Sequence, residues 1–378
     1  MSIAEKIDMI INKTHLSHDD IVFLLSLDDD EHVNRVLKHA RNVANQYIGK
    51  KVYLRGLIEI SNICSKNCYY CGIRKDNSKI YRYVLSKEEI KKAIVKIYEQ
   101  GYGSVVIQSG ENTEDDFIAL VEDCIRFAHS ITNSSLGITL SLGEQLTGVY
   151  KRWYDAGAHR YLLRIETSDP FLYKRLHPSD HSFEKRKECL NILKKIGYQA
   201  GTGVMIGLPH QTLHHLAGDI LFFKEMDVDM IGMGPYIIHN DTPLGTIAQK
   251  KYNKEYIMRL SLLMIAVTRL VCKDCNIAST TALRLLDSTG IKGILAGANV
   301  MMPNVTPHEF RKNYFLYEGK ENVVEDNNLK TIEEELNKYD IQIAYKEQGN
   351  PIHYYKRRND KKVKNSCGSS KKLFIDEI

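Results

Sequence analysis

LIEISNICSKNCYYCGIRKDNSKIYRY, residues 57–83, carries the pattern from which the rest of the chain can be read. It opens on an apolar run, Leu57 to Ile60, and turns through Ser61 and Asn62. Cys64, Cys68 and Cys71 follow at C-x3-C-x2-C spacing, ahead of Gly72 and a basic segment. A short apolar strand leading into a chemistry-bearing loop is the repeating unit of parallel α/β folds, whose functional groups collect after the strands. Three thiolates this close can converge on one metal centre. A 4Fe-4S cluster held by three cysteines leaves one iron open to a ligand that is not protein. Zinc is the alternative, but a structural zinc takes four protein ligands, and no fourth lies at a typical nearby spacing.

Outward from this stretch the same order repeats. Strands are predicted at 56–59, 104–108, 137–141, 160–164, 202–206 and 230–233, with weaker ones at 277–278 and 296–299. Helical segments are predicted at 87–101, 114–131, 145–156, 183–196, 212–226, 253–271 and 281–288. Eight strands alternating with helices over roughly 250 residues predict a complete (β/α)8 TIM-type barrel. A doubly wound open sheet would normally need fewer strands. Polar and glycine residues follow the strands: the cysteines, then Ser109-Gly110-Glu111, Leu142-Gly143-Glu144, Glu166-Thr167, Gly207-Leu208-Pro209, and Gly234-Pro235 with His239. In a barrel these loops share one face, where active sites lie.

The flanks are read as follows. Residues 1–50 form a helical extension covering one end of the larger domain, with Ser17 capping a helix ahead of Asp20. The barrel spans 51–303. Residues 304–345, with Phe310, Tyr314, Phe315 and Tyr317, pack on the barrel, with a short helix near 330–339. Residues 346–378 form a basic, mobile tail.

At 378 residues and 43% apolar content the chain can bury a sizeable core. The net charge of +5 is confined to its end: residues 351–378 carry eight Lys or Arg against three acidic residues. A neutral body gives no nucleic-acid-binding surface. Eight cysteines in a chain this long are not a disulfide scaffold, and the close triplet points to a reducing compartment. The start has no cleavable signal pattern, and no uncharged apolar run reaches membrane-spanning length, so a cytoplasmic, membrane-free protein is expected. Cys124 and Cys189 read as buried fillers on helices. Cys272 and Cys275 form a C-x2-C pair with no evident complement, and Cys367 reads as a free thiol.

The three-cysteine motif resembles the cluster loop of the radical S-adenosylmethionine (SAM) superfamily. The blocks IEISNICSKNCYYCGIRKDN, VVIQSGE, ITLSLGE, RYLLRIETSDPFLYKRLHP, MIGLPHQT and IGMGPYIIH further resemble the radical SAM maturases of FeFe-hydrogenase, the HydE family, from about Val52 to Lys320. That resemblance implies one 4Fe-4S cluster on Cys64, Cys68 and Cys71, which are both metal ligands and catalytic. It implies SAM contacts from Tyr70 near the adenine, Ser109, Gly110 and Glu111 near the amino group, Glu166 at the ribose and Arg186 at the carboxylate. Thr139 and Arg164 are further cofactor-facing positions, and Thr280 and Tyr314 line a substrate cavity. His239, placed after the sixth strand, either faces that substrate cavity or makes a structural hydrogen bond.

The implied reaction cleaves SAM to a 5′-deoxyadenosyl radical. The radical acts on a cysteine-bound iron–carbonyl–cyanide precursor during assembly of the hydrogenase diiron subcluster. Implied partners are the radical enzyme that supplies this complex, a downstream scaffold GTPase maturase and an electron donor. Two departures matter. Ile165 stands between Arg164 and Glu166 where some relatives have histidine. No cysteine lies between Cys275 and Cys367, so no accessory cluster is expected. The alternatives are a biotin-synthase-like or lysine-mutase-like enzyme acting on an organic amino acid or sulfur compound, or a non-catalytic iron-cluster carrier.

Overall fold

The structure is a computed structural model that describes residues 1–248, 253–287, 289–319 and 329–359. Its strands are β1 (Lys51–Ser61), β2 (Ser104–Ser109), β3 (Gly137–Ser141), β4 (Arg160–Leu162), β5 (Gln199–Thr202), β6 (Met205–Ile206), β7 (Met230–Ile231), β8 (Gly234–Pro235), β9 (Asn276–Ser279), β10 (Val300–Met301) and β11 (Gln342–Ile343). The order β10-β9-β7-β5-β4-β3-β2-β1 is parallel throughout, and β10 pairs back onto β1, so eight strands close a barrel. Closure removes every free edge from those strands. The pair β6 and β8 extends the wall beyond β5 and β7 at the functional end. At the other end β11 adds to β1.

Alternating burial explains the layering. Ile58, Ile60, Val105, Ile107, Ile138 and Leu140 are all fully buried between barrel and helices. The helices are set by ordinary signals. Ser86 caps Lys87–Glu99 in a capping box with Glu89, and Ile90, Ala93, Ile94 and Ile97 form its buried stripe. The N-terminal helices Ile3–Ile11, His18–Leu25 and Asp30–Tyr47 are capped by Ser2, Ser17 and Asp29. They pack on the outer helices Leu213–Glu225 and Lys254–Val271, and Arg41 donates to the carbonyls of Ile294 and Ala298 ahead of β10.

Several boundaries differ from expectation: β1 runs from Lys51 to Ser61, while β4 and β7 end early at Leu162 and Ile231. The fifth strand begins at Gln199 and breaks after Thr202, because a side chain on Gly203 would sit 1.9 Å from the carbonyl oxygen of Gly232. Two backbones meet there, so the wall splits and resumes as β6. The eighth strand is Val300–Met301; residues 296–299 are the exit from a short helix, Ile291–Leu295, that the periodicity did not signal. The segment predicted at 281–288 is helical only over Thr281–Arg284, and Ser288 lies outside the described residues. The helices Pro170–Leu176 and Pro243–Ala248 were also unforeseen.

The tail expected from 346 is held against the barrel floor as far as 359. Arg160 is fully buried and engages all three guanidinium nitrogens there. Nε bonds Gln199 (3.0 Å), Nη1 bonds Ser104 Oγ (2.9 Å), and Nη2 bonds the Gln348 carbonyl and Asn350 Oδ1 (both 2.6 Å). Arg55 Nη2 and Asn276 Nδ2 both donate to the Gly349 carbonyl. The polar composition of 347–350 reads as a free tail in sequence because its partners are buried polar groups on distant strands. Cys367 and the remaining tail lie outside the described residues.

Candidate active site

After β1 the chain enters a loop without regular secondary structure, fixed from all sides. Tyr69 donates to the Leu176 carbonyl (2.9 Å), its own carbonyl accepts from Leu244 (2.9 Å), and Gly72 donates to the Leu316 carbonyl (3.0 Å). Arg82 inserts beneath the loop and donates to the carbonyls of Asn62, Ile73, Arg74 and Asn77. An irregular loop whose carbonyls are satisfied in this way is rigid. It holds Cys64, Cys68 and Cys71 on one wall of a cavity of about 280 Å³.

The loops after the other strands complete the cavity. Gln108, Ser109, Gly110 and Glu111 follow from β2, Ser141 and Gly143 from β3, Arg164 and Glu166 from β4, and Thr280 from β9. Arg186 enters from the helix Phe183–Ile196, and Tyr314 and Tyr317 close over the side. A side chain on Gly110 would lie 2.3 Å from the Ile63 carbonyl oxygen and 2.7 Å from Cys64 Cβ, so the second loop abuts the cysteine loop directly. The Glu111 backbone N–H points at Cys64 Sγ (3.3 Å), while Ser65 donates to the Glu111 carbonyl (2.8 Å).

Electrostatics bind these loops together. Lys66 lies 3.3 Å from Glu111 Oε1 and 3.2 Å from Glu144 Oε2. Arg186 Nε donates to Glu144 Oε1 at 2.8 Å and Nη1 to the Arg164 carbonyl at 3.0 Å. Burial works against the Glu144 carboxylate, but Arg186 and Lys66 outweigh it and hold the group below its usual range. Glu111 is shifted the other way, since burial exceeds the help from Lys66. Burial also pushes the three thiols up, Cys68 to about 12, and neighbouring sulfurs add to the effect at Cys68 and Cys71. Three thiols crowded on one cavity wall are a poor arrangement for free cysteines and a good one for a cation that replaces their protons.

Several polar atoms facing this region are unsatisfied. Thr280 Oγ1 and Arg164 Nε have no hydrogen-bond partner among the described residues. Glu166 Oε2 sits 3.0 Å from Arg164 Nη2 as an ion pair, but without hydrogen-bond geometry. Glu166 also adopts φ +67°, unusual for a residue with a side chain. Unsatisfied polar groups and a strained backbone are common where a ligand binds.

Not every expected residue lies in this chamber. Thr139 lines a smaller void of about 30 Å³, which shares Val106, Leu162, Gly232 and Met302 with the chamber. Its hydroxyl is also unpartnered among the described residues. His239 does not line the cavity. It is buried behind Gly72, where its Nδ1 accepts from the Asp241 N–H (3.1 Å) and its carbonyl accepts from Thr242 Oγ1 (2.7 Å), turning the chain into Pro243–Ala248. Tyr70 lines the cavity, with its hydroxyl 3.2 Å from His177 Nε2. The His177 Nδ1 is 2.9 Å from the Tyr173 carbonyl, and burial lowers the imidazole to about 3. The neutral ring therefore donates through Nδ1, and Tyr70 donates to Nε2.

Sequence reasoning gave no role to Lys66, Glu144, Glu59 or His177. Glu144 sits in a Leu-Gly-Glu turn like the Ser-Gly-Glu before it, and that similarity was the available signal. Glu59, fully buried at the cavity wall, accepts from Asn304 (3.0 Å) and was read only as a strand end.

The radical SAM superfamily model matches residues 58–223. The [FeFe] hydrogenase maturase subunit HydE of Thermotoga maritima is 42% identical over 78% of this chain and 82% of its own length. The chain belongs to the HydE family of radical SAM enzymes. A 3-methylornithine synthase of Methanosarcina acetivorans is 29% identical over 81% of this chain and 85% of its own length. The crystal structure of methylornithine synthase (PylB) superposes with TM-score 0.76 at 24% identity, covering 90% of this chain and 98% of that one, which supports the barrel fold. A HydE-family enzyme is thus a hydrogenase-maturation enzyme whose family uses a 4Fe-4S cluster and SAM, and the three converging thiols fit such a cluster. No helix among the described residues is long and apolar enough to cross a membrane.

Proposed function

We propose that this enzyme cleaves SAM and directs the resulting 5′-deoxyadenosyl radical onto a cysteine-bound iron–carbonyl–cyanide complex during assembly of the FeFe-hydrogenase diiron subcluster. The observation that carries the reading is the single chamber joining three thiols to an interior lined by Arg164, Glu166, Thr280 and Tyr314. A 4Fe-4S cluster with one iron free of protein ligands supplies the electron that splits the sulfonium of SAM. The chain's own residues bind and orient. Cys64, Cys68 and Cys71 hold the metal, and Ser109, Gly110 and Glu111 offer the SAM amino group a close backbone and a carboxylate. Among the described residues Arg186 donates to protein from Nε and Nη1; Nη2 is offered to the SAM carboxylate, a planar anion suited to guanidinium. Glu166 accepts from ribose hydroxyls, and Tyr70, fixed by His177, packs beside the adenine.

Thr280, Tyr314 and the deeper Thr139 present hydroxyls to the interior, suited to diatomic ligands on iron and to a cysteine carboxylate. The enclosed barrel keeps a reactive carbon radical from water and stray hydrogen donors. His239 acts here as a support for the cysteine loop. No accessory cluster is part of the proposal; about four irons per chain after reconstitution is the expected content.

The methylornithine synthase relatives give the second reading, an organic amino acid as substrate. Anaerobically reconstituted enzyme is given SAM, reductant and either a cysteine-bound iron dicarbonyl cyanide or a panel of amino acids including lysine. Consumption of the iron complex coupled to 5′-deoxyadenosine release, followed by activation of an apo-hydrogenase, is expected. Turnover with the amino acids alone would replace this reading with the second. An intact cluster that never yields 5′-deoxyadenosine would leave only a carrier.

A further inference from the structure

At the barrel floor, opposite the cysteine chamber, a second set of metal-ligand side chains converges that the SAM chemistry does not use. Cys272 caps the C-terminus of the helix Lys254–Val271, and Cys275 precedes β9, giving C-x2-C spacing. The turn between them is shaped by Arg269, fully buried, whose Nη1 donates to the carbonyls of Cys272 (3.3 Å), Lys273 (2.9 Å) and Cys275 (2.8 Å). Wrapping three carbonyls around one guanidinium folds the C-x2-C segment into a tight turn, within which the Cys275 thiol donates to the Val228 carbonyl (3.0 Å).

The complement missing from the sequence pattern arrives from far along the chain. His353 follows the floor-sealing residues 347–350 and lies with Nδ1 3.1 Å from Asp274 Oδ1. Ligand atoms of Asp274, Cys275 and His353 all fall within 4.8 Å of one another. The other ring nitrogen of His353, Nε2, is 2.7 Å from Asp227 Oδ1. Carboxylate support of the far nitrogen is the usual outer arrangement of a metal-bound histidine. Lys356 holds the second oxygen of Asp274 at 2.7 Å, which fixes that carboxylate as well. Nearby, Asp229 is fully buried with Oδ1 lacking a hydrogen-bond partner among the described residues.

We propose that Cys275, His353 and Asp274, with Cys272 as the fourth ligand, bind a zinc ion that staples the C-terminal segment to the barrel floor. Two thiolates at C-x2-C spacing, one imidazole and one carboxylate make a four-coordinate set that suits zinc, with no open position for catalysis. Binding displaces the thiol protons and the proton on His353 Nδ1, while Nε2–H continues to donate to Asp227. The ion joins residue 353 to residue 275 and so locks residues 347–350 beneath Arg55 and Arg160.

The test uses the full chain with its iron–sulfur cluster in place, titrated with zinc against a chromophoric chelator, and zinc-edge X-ray absorption of the loaded protein. One zinc per chain is expected beyond the cluster iron, with sulfur scatterers at about 2.3 Å. Zinc should raise the melting temperature of the wild type. His353→Gln and Cys275→Ser should each weaken zinc binding at least a hundredfold and lose the zinc-dependent rise in melting temperature. Asp227→Asn should weaken binding about ten- to a hundredfold. Cys68→Ala, which alters only the other end of the barrel, should keep the zinc. Where Cys275→Ser fails to fold, His353→Gln decides. Absence of zinc binding by folded wild type, leaving His353 as an imidazolium between Asp227 and Asp274, overturns the proposal. So does zinc that survives His353→Gln but disappears in Cys68→Ala.

Discussion

The two ends of the barrel treat their buried arginines differently. At the floor, the chain returns on itself to satisfy one: Arg160 is surrounded by Ser104, Gln199, Gln348 and Asn350, all neutral acceptors from this protein. At the cysteine end, Arg164 Nε, Thr280 Oγ1 and one oxygen of Glu166 have no hydrogen-bond partner among the described residues, and Glu166 holds a left-handed backbone. An unsatisfied buried polar atom costs about 1–3 kcal/mol. The floor closes around Arg160, although Arg55 Nε and Asp229 Oδ1 stay unpartnered there among the described residues, whereas the unpartnered atoms of Arg164, Glu166 and Thr280 belong to residues lining one cavity with the three thiols.

Changes at the two ends should therefore have different signatures. The largest effect is expected from Cys68→Ala, which removes one of three thiolates. Cluster absorbance and SAM cleavage should both disappear while the circular dichroism spectrum is retained, and unchanged iron content would contradict the assignment. Next comes Gly110→Ala. A methyl group 2.3 Å from the Ile63 carbonyl must push the cysteine loop, so SAM affinity should fall at least tenfold by equilibrium dialysis, with the global fold intact.

At the floor the loss should appear as stability rather than ligand affinity. Arg357 Nη2 pairs with Asp229 Oδ2 at 2.5 Å, and Asp229 is fully buried with its carboxyl raised to about 6, chiefly by burial. Arg357→Met should cost about 3 kcal/mol in urea unfolding, because it strands the carboxylate. SAM cleavage per folded molecule should be unchanged.

The most gradual effect is a pH dependence. Asp219, fully buried on the helix Leu213–Glu225, accepts from the Ser168 N–H, and burial raises its carboxyl from 3.8 to about 7. The folded state holds that proton more tightly than the unfolded chain. Asp219 therefore lowers stability progressively as pH rises from about 4 to about 7, by at most about 4 kcal/mol. In Asp219→Asn this part of the decline should vanish from unfolding curves recorded across that window.

The contrast between the ends also explains what was legible beforehand. The helix Phe183–Ile196 and strand β3 are readable to the residue, because Ser182 and Gly197 cap the helix and a short apolar run sets the strand. The cysteine loop was readable because its ligands are adjacent in sequence. The floor was not, because its chemistry is assembled across long separations: Arg160 meets Gln348, and Cys275 meets His353. Polar residues at 347–350 carry no apolar pattern, so composition suggests a free tail where buried partners impose order. The break after Thr202 depends on Gly203 meeting Gly232, a contact that neither segment announces alone. His239 follows a strand as cavity residues do, yet its hydrogen bonds with Asp241 and Thr242 turn it away from the interior.

The central claim is that the cysteine end alone is a SAM-cleaving chamber. The most direct measurement is 5′-deoxyadenosine formed by the anaerobically reconstituted wild type with SAM and dithionite, beside Cys68→Ala and Arg357→Met. The account predicts product from wild type and Arg357→Met and none from Cys68→Ala. Product from Cys68→Ala at the wild-type rate, or none from a wild type with four irons per chain, would contradict it.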